Sequence, residues 1–140
     1  MVKFICAWLL SVTTMTLFSG IVNFFSKKEV REYVLLKWFV DKHSKFPIAP
    51  LLIGWLLHFG FGLIFMALFE VLWSIVNINK SLFWGLGVGS IMGFLGIWGW
   101  QLLFYLHPQR PNINYTVFYI QLFFAHIVFG LTAFGIYMLY

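Results

Sequence analysis

The sequence predicts an all-α integral membrane protein, a bundle of four transmembrane helices, and three observations carry that prediction. Four apolar runs are each long enough to cross a bilayer, which takes about 20 helical residues. Charge is scarce: 9% of residues are charged and 62% are apolar, whereas a soluble domain carries roughly 25% and 45–50%. Aromatic residues make up 22% of the chain, with seven Trp, which suits a surface facing acyl chains and headgroups. A water-soluble fold of this size cannot hide so much Phe, Leu and Trp, and a mean hydropathy of +0.93 makes lipid the solvent. Residues 1–140 read as a single membrane domain.

The first span runs from about Phe4 to Phe25 and the second from about Ala49, just after Pro47, to Val76. The third covers about Leu82 to Leu106 and the fourth about Tyr115 to Tyr140. Barrel strands alternate in polarity, and these runs do not. Helices satisfy their own backbone groups in lipid, so a helical bundle follows. Lys3, an apolar core and Ser19-Gly20 resemble parts of a signal peptide. The core continues through Ile21 to Phe25, so the span is expected to be retained.

Three connections remain. Asn77-Ile78-Asn79-Lys80 is short, which predicts that the second and third spans are antiparallel neighbours. Residues 107–114 hold Pro108 and Pro111, which block helix continuation, within a polar rim. The segment 26–46 carries most of the charge, interrupted by Tyr33 to Leu36 and Trp38 to Val40. It reads as an amphipathic interfacial helix that contacts anionic lipid, or else as a partner-docking segment. Lys28 and Glu32, like Lys37 and Asp41, are spaced to pair along such a helix.

The net charge of +5 does not indicate nucleic acid, because the basic residues gather between spans, where they act as topology signals. Lys27, Lys28, Arg31, Lys37, Lys42, Lys45 and Arg110 fall in the first and third connections, against Lys3 and Lys80 on the other side. That asymmetry predicts segments 26–46 and 107–114 in the cytoplasm and both termini outside. A single cysteine, Cys6, excludes an internal disulfide and any paired-thiol motif.

The second and fourth spans share a local pattern: His58 is followed by Gly62-Leu63, and His126 by Gly130-Leu131. Spans separated by one crossing run in the same direction, so two hairpins related by an axis along the membrane normal, a parallel 2+2 repeat, would explain the match. In each copy His and Gly lie one turn apart on one face, where glycine admits a neighbouring backbone. Gly54 precedes His58 by one turn, and Gly85, Gly89 and Gly93 step along the third span as a close-packing face.

The Thr13-Thr14-Met15-Thr16 segment, Gly54-Trp55 leading to His58 and Gly62, the glycine-rich third span and His126 with Gly130 resemble the YagU-like group of small bacterial inner-membrane proteins. The resemblance covers most of the chain and implies architecture and a bacterial inner-membrane location. It implies no reaction. The long basic first connection departs from that pattern.

Ionisable groups inside a bilayer are costly, so each raises a functional hypothesis. His58 and His126 can ligate haem iron axially, or bind another metal or a pigment. The competing reading is structural hydrogen bonding, which the neighbouring glycines favour because they leave little room between helices. Glu70 is the only acidic residue within a span; it lies twelve residues, or about 18 Å, beyond His58 and is a candidate for an ion or proton path. Gln101 and Gln121 are expected to bridge helices, while His43 and His107 are expected to be solvated. The threonines at 13, 14 and 16 and Ser90 should bond preceding carbonyls, and no nucleophile–base set is legible. The preferred reading is a non-enzymatic accessory or structural subunit of a membrane complex, or a homo-oligomer. A haem-, metal- or pigment-binding protein using His58 and His126 is the alternative, and a small transporter using Glu70 the third.

Overall fold

A computed structural model of the chain describes residues 1–41, 50–76, 79–107 and 109–139, with the backbone alone at 41 and 50. These residues form five helices: α1 (Val2–Ser26), α2 (Glu32–Asp41), α3 (Pro50–Val76), α4 (Leu82–Leu106) and α5 (Tyr115–Leu139). Four of them, all except α2, are long and apolar enough to cross a membrane. The expectations placed on Lys42, His43, Lys45, Asn77 and Ile78 lie outside the described residues.

Local chemistry sets the helix ends. α1 stops where Lys27 turns left-handed (φ 51°) and returns its N–H to the Asn23 carbonyl. Ser81 caps α4 by accepting from the Trp84 N–H at 3.4 Å. The Asn114 side chain does the same for α5 by accepting from Val117 at 3.0 Å. Within α1 and α4, Thr13, Thr14, Thr16 and Ser90 all donate to carbonyls one turn back.

The helices pack around α5. Half of its most apolar stretch is buried, against 22–28% for the other three long helices. α4 and α1 both run along α5, α2 lies on α3, and α1 meets α3 more sparsely. From α3, Phe69 and Trp73 reach α5 through edge-on rings of Phe129 and Phe134. The outward faces carry Leu, Ile, Phe and Trp, with Phe25 and Trp98 among the most exposed.

Glycine explains the closest pairing. A Cβ on Gly130 would meet the Cα of Gly89 at 2.9 Å and its N at 3.1 Å. One on Gly89 would meet the His126 carbonyl at 2.8 Å, and one on Gly93 would meet the Phe123 ring at 2.9 Å. Gly85 approaches the Gly130 carbonyl in the same way, at 3.1 Å. The other copy of the pattern is set differently, with Gly62 against the Val12 side chain of α1. Gly54 makes room for α2, since a Cβ there would collide with the Tyr33 carbonyl.

Four expectations are corrected. α3 and α4, joined by a short connection, are not close-packed neighbours; the glycine face of α4 is already taken by α5, and a turn constrains only helix ends. Glu32 does not pair with Lys28: it opens α2 and points inward with 2% exposure, while Lys28 precedes the helix and is exposed. His107 is buried among Trp38 and Phe39 instead of being solvated. Gln101 lies exposed on α4 and bridges nothing among the described residues.

The glycine contacts predict a contrast between two alanine substitutions. Gly130→Ala should cost about 1–3 kcal/mol, because two helix backbones must part. Gly87→Ala, with nothing within 4 Å of its Cβ position, should stay within about 1 kcal/mol of the parent or gain stability. Detergent-titrated unfolding followed by circular dichroism measures both.

Candidate functional site

The space left between α3 and α4 is a cleft of about 330 Å³. Its walls are apolar, with Phe61 and Phe65 from α3, Leu95 and Trp100 from α4, and Met15 from α1. Three ionisable side chains enter this lining: Glu32, His58 and His126. Small binding sites are commonly of this kind, mostly apolar with a few placed polar groups.

Glu32 arrives from α2. The chain doubles back after α1, and Val30, Leu35 and Leu36 are buried beside it. Tyr33 stacks on Trp55 of α3 with ring centroids 4.0 Å apart, which holds the start of α2 in place. The Glu32 Oε1 accepts from Ser19 of α1 at 3.0 Å and from Gln121 of α5 at 3.0 Å. Gln121 also donates to Ser19 at 2.6 Å. Three helices are thus tied through one carboxyl oxygen. The other, Oε2, is buried and has no partner. Burial pushes this carboxyl up from an ordinary 4.5 to about 7, against the hydrogen bonds from Gln121 and Ser19, which favour the charged form.

The histidines hold different neighbours. His58, 6% exposed, places Nε2 2.9 Å from the Thr16 hydroxyl of α1. His126, 4% exposed, places Nδ1 2.8 Å from the Leu122 carbonyl on its own helix. Its Nε2 turns toward α4, where a Cβ on Gly96 would approach it at 2.9 Å. Phe65 meets the same ring edge-on at 5.2 Å. The glycines beside the histidines therefore coexist with a cleft, contrary to the expectation of little room.

Glu70 is not part of this site. Tyr137 donates to its Oε1, and Lys80 sits over the Tyr137 ring at 4.7 Å with Lys3 at 5.6 Å. Along α5, Tyr137 lies eight residues beyond Phe129 of the cleft, a rise of about 12 Å. The structure brings His58 and His126 to one cleft and leaves Glu70 outside its lining. Among the described residues, no group of three His, Cys, Asp or Glu side chains is placed to hold a metal ion.

Glu32 is the residue that sequence reasoning missed. It lay in a charged connection and carried an i,i+4 cation partner, which reads as a solvated pair. The available signal was Glu32 at the start of an otherwise apolar run, Tyr33-Val34-Leu35-Leu36, facing spans with few polar partners. The helices define a class, an all-helical protein with four spans that suit integral membrane insertion. No protein-family model, curated protein or solved structure matches the chain.

The Glu32 environment predicts a signed pH dependence. A carboxyl raised from 4.5 to about 7 binds its proton more tightly in the folded state. Its contribution is therefore fully present below pH 4.5 and is lost as pH rises toward about 7. Measured as the difference between the parent and Glu32→Gln, thermal stability should decline across that interval and level off above it. Subtracting the variant removes the contributions of every other titrating group, which both proteins share.

Proposed function

We propose that the chain is a non-enzymatic integral membrane binding protein, a four-helix bundle that holds a small lipophilic molecule in the α3–α4 cleft. The observation that carries this reading is an apolar cavity of about 330 Å³ with three buried ionisable side chains in its wall, one bearing an unpartnered oxygen. Apolar side chains normally close such space, and an unpaired buried polar atom costs about 1–3 kcal/mol. Both costs fall when a ligand fills the cleft.

Haem or another pigment held by both imidazoles is supported less. His58 would have to release Thr16 to bind through Nε2. An ion path through Glu70 is supported less again, since Glu70 does not line the cleft. An accessory or self-associating subunit is compatible with ligand binding. It draws on one observation of its own: α4 packs closely along α5 alone, and Gly87 on α4 faces open space. In this reading the protein sits in a bacterial inner membrane, with segments 26–46 and 107–114 cytoplasmic and both termini outside. The exposed Lys27 and Lys28 then meet anionic headgroups. The 2+2 repeat pairs α1 with α3 and α4 with α5, each through a glycine one turn beyond a histidine.

Native mass spectrometry of protein released from gentle detergent tests the binding reading. The expected spectrum contains a small-molecule adduct that Gly96→Leu removes, because the new side chain occupies the space beside His126. A bare polypeptide mass under conditions that retain bound lipid on other membrane proteins would count against the cleft as a binding site.

A further inference from the structure

We infer that the cleft takes a lipophilic ammonium, an apolar body carrying a cationic head with N–H donors. This deepens the binding reading above and rests on it.

A backbone carbonyl only accepts hydrogen bonds, so the contact with Leu122 requires His126 Nδ1 to carry the ring proton. In the neutral imidazole, Nε2 is then a bare lone pair, and it is Nε2 that turns toward Gly96. For His58 the assignment passes through Thr16. The Thr16 hydroxyl gives its single hydrogen to the Val12 carbonyl at 2.7 Å. Toward His58 it can only accept, so His58 Nε2 donates and Nδ1 keeps the lone pair. Glu32 Oε1 accepts from Gln121 and from Ser19, whose single hydrogen it shares with the Met15 carbonyl at 3.1 Å, and Oε2 is unpartnered. The Gln121 amide spends its nitrogen on Ser19 and Glu32, and its own oxygen is buried without a partner. With Glu32 ionised, every uncommitted polar atom on these four side chains accepts.

A cluster of buried acceptors in the wall selects by chemistry. A ligand whose head only accepts, such as an ester or ketone, leaves unpaired atoms on both sides. A carboxylate or phosphate would also be repelled by Glu32. An ammonium supplies several N–H donors and the charge that matches Glu32, and charge-assisted hydrogen bonds are roughly twice as strong as neutral ones. The aromatic faces of Phe61, Phe65 and Trp100 add a surface that a cation favours. A bare metal ion would use the same lone pairs, but the described residues offer no three-ligand group.

Photolabelling in lipid nanodiscs tests this with the intact protein. Three diazirine-bearing probes share one alkyl chain and differ only in the head: a primary amine, an alcohol and a carboxylic acid. Labelled peptides are mapped to the cleft or to the outer helix faces. The amine should label the Phe61–Phe65 and Leu95–Leu103 peptides about tenfold more than the alcohol, as one charge-assisted hydrogen bond implies. Excess unlabelled alkylamine should compete. Glu32→Gln should erase the amine preference while leaving alcohol labelling in place, and Gly96→Leu should block all three probes. If Glu32→Gln fails to insert, the comparison of heads on the parent still decides the matter. Equal or stronger cleft labelling by the alcohol or the acid overturns the ammonium inference and leaves the cleft intact as a binding site. Labelling by all probes only on outer faces overturns both.

Discussion

A carboxyl group taken out of water must be neutralised or hydrogen-bonded, and the way Glu32 meets that requirement organises much of this protein. Ser19 and Gln121 satisfy one oxygen, so α1, α2 and α5 are joined at one point. Ser19 lies seven residues before the end of α1, which sets Glu32 about 10 Å inside that helix end. α2 therefore cannot lie loose on the surface. It folds against α3 at Gly54, and its apolar side is spent on the interior. Burial outweighs the hydrogen bonds on its one satisfied oxygen, so the carboxyl exchanges its proton near pH 7 instead of being locked as an anion.

The second constraint is backbone proximity between α4 and α5. In lipid there is no hydrophobic force to drive apolar helices together, so contact area and close approach decide which faces meet. Gly85, Gly89 and Gly93 on α4 and Gly130 on α5 allow that approach. Committing this face to α5 turns α4 away from α3. On the α3 side, Phe61 and Phe65 stand where a close helix contact would need small residues, and on the α4 side Gly96 and Gly99 recede. Bulky residues against glycines at the same level would ordinarily interlock. With the helix axes held apart, they bound a cavity instead.

The four long helices could be read in the sequence because their signal is one of composition and length, and both survive without tertiary knowledge. The glycine steps at 85, 89 and 93 were legible as a packing face for the same reason. Their partner was not, because sequence adjacency suggested α3 while shape complementarity belonged to α5. His58 and His126 stood out as ionisable groups within apolar runs. Their convergence on one cleft was a matter of helix rotation, which the shared histidine–glycine spacing does not fix. Glu32 and His107 were misread because a charged or proline-bearing connection looks solvated until the chain is seen to fold inward. Gln121 was expected to bridge helices, and its partners, Ser19 and the inserted Glu32, became visible only with α2 in place.

The architecture depends on Glu32 being an interior carboxyl that holds its proton well above the ordinary 4.5. Isotope-edited infrared spectroscopy of the protein in lipid, with the parent spectrum subtracted from that of Glu32→Gln, reads this state directly. We expect a carboxylic-acid C=O band in the parent, narrow and little shifted by deuterated water, that disappears near pH 7 and is missing from the variant. A parent spectrum showing Glu32 as a hydrated carboxylate down to its ordinary value of 4.5 would contradict the burial of this group and the architecture built around it.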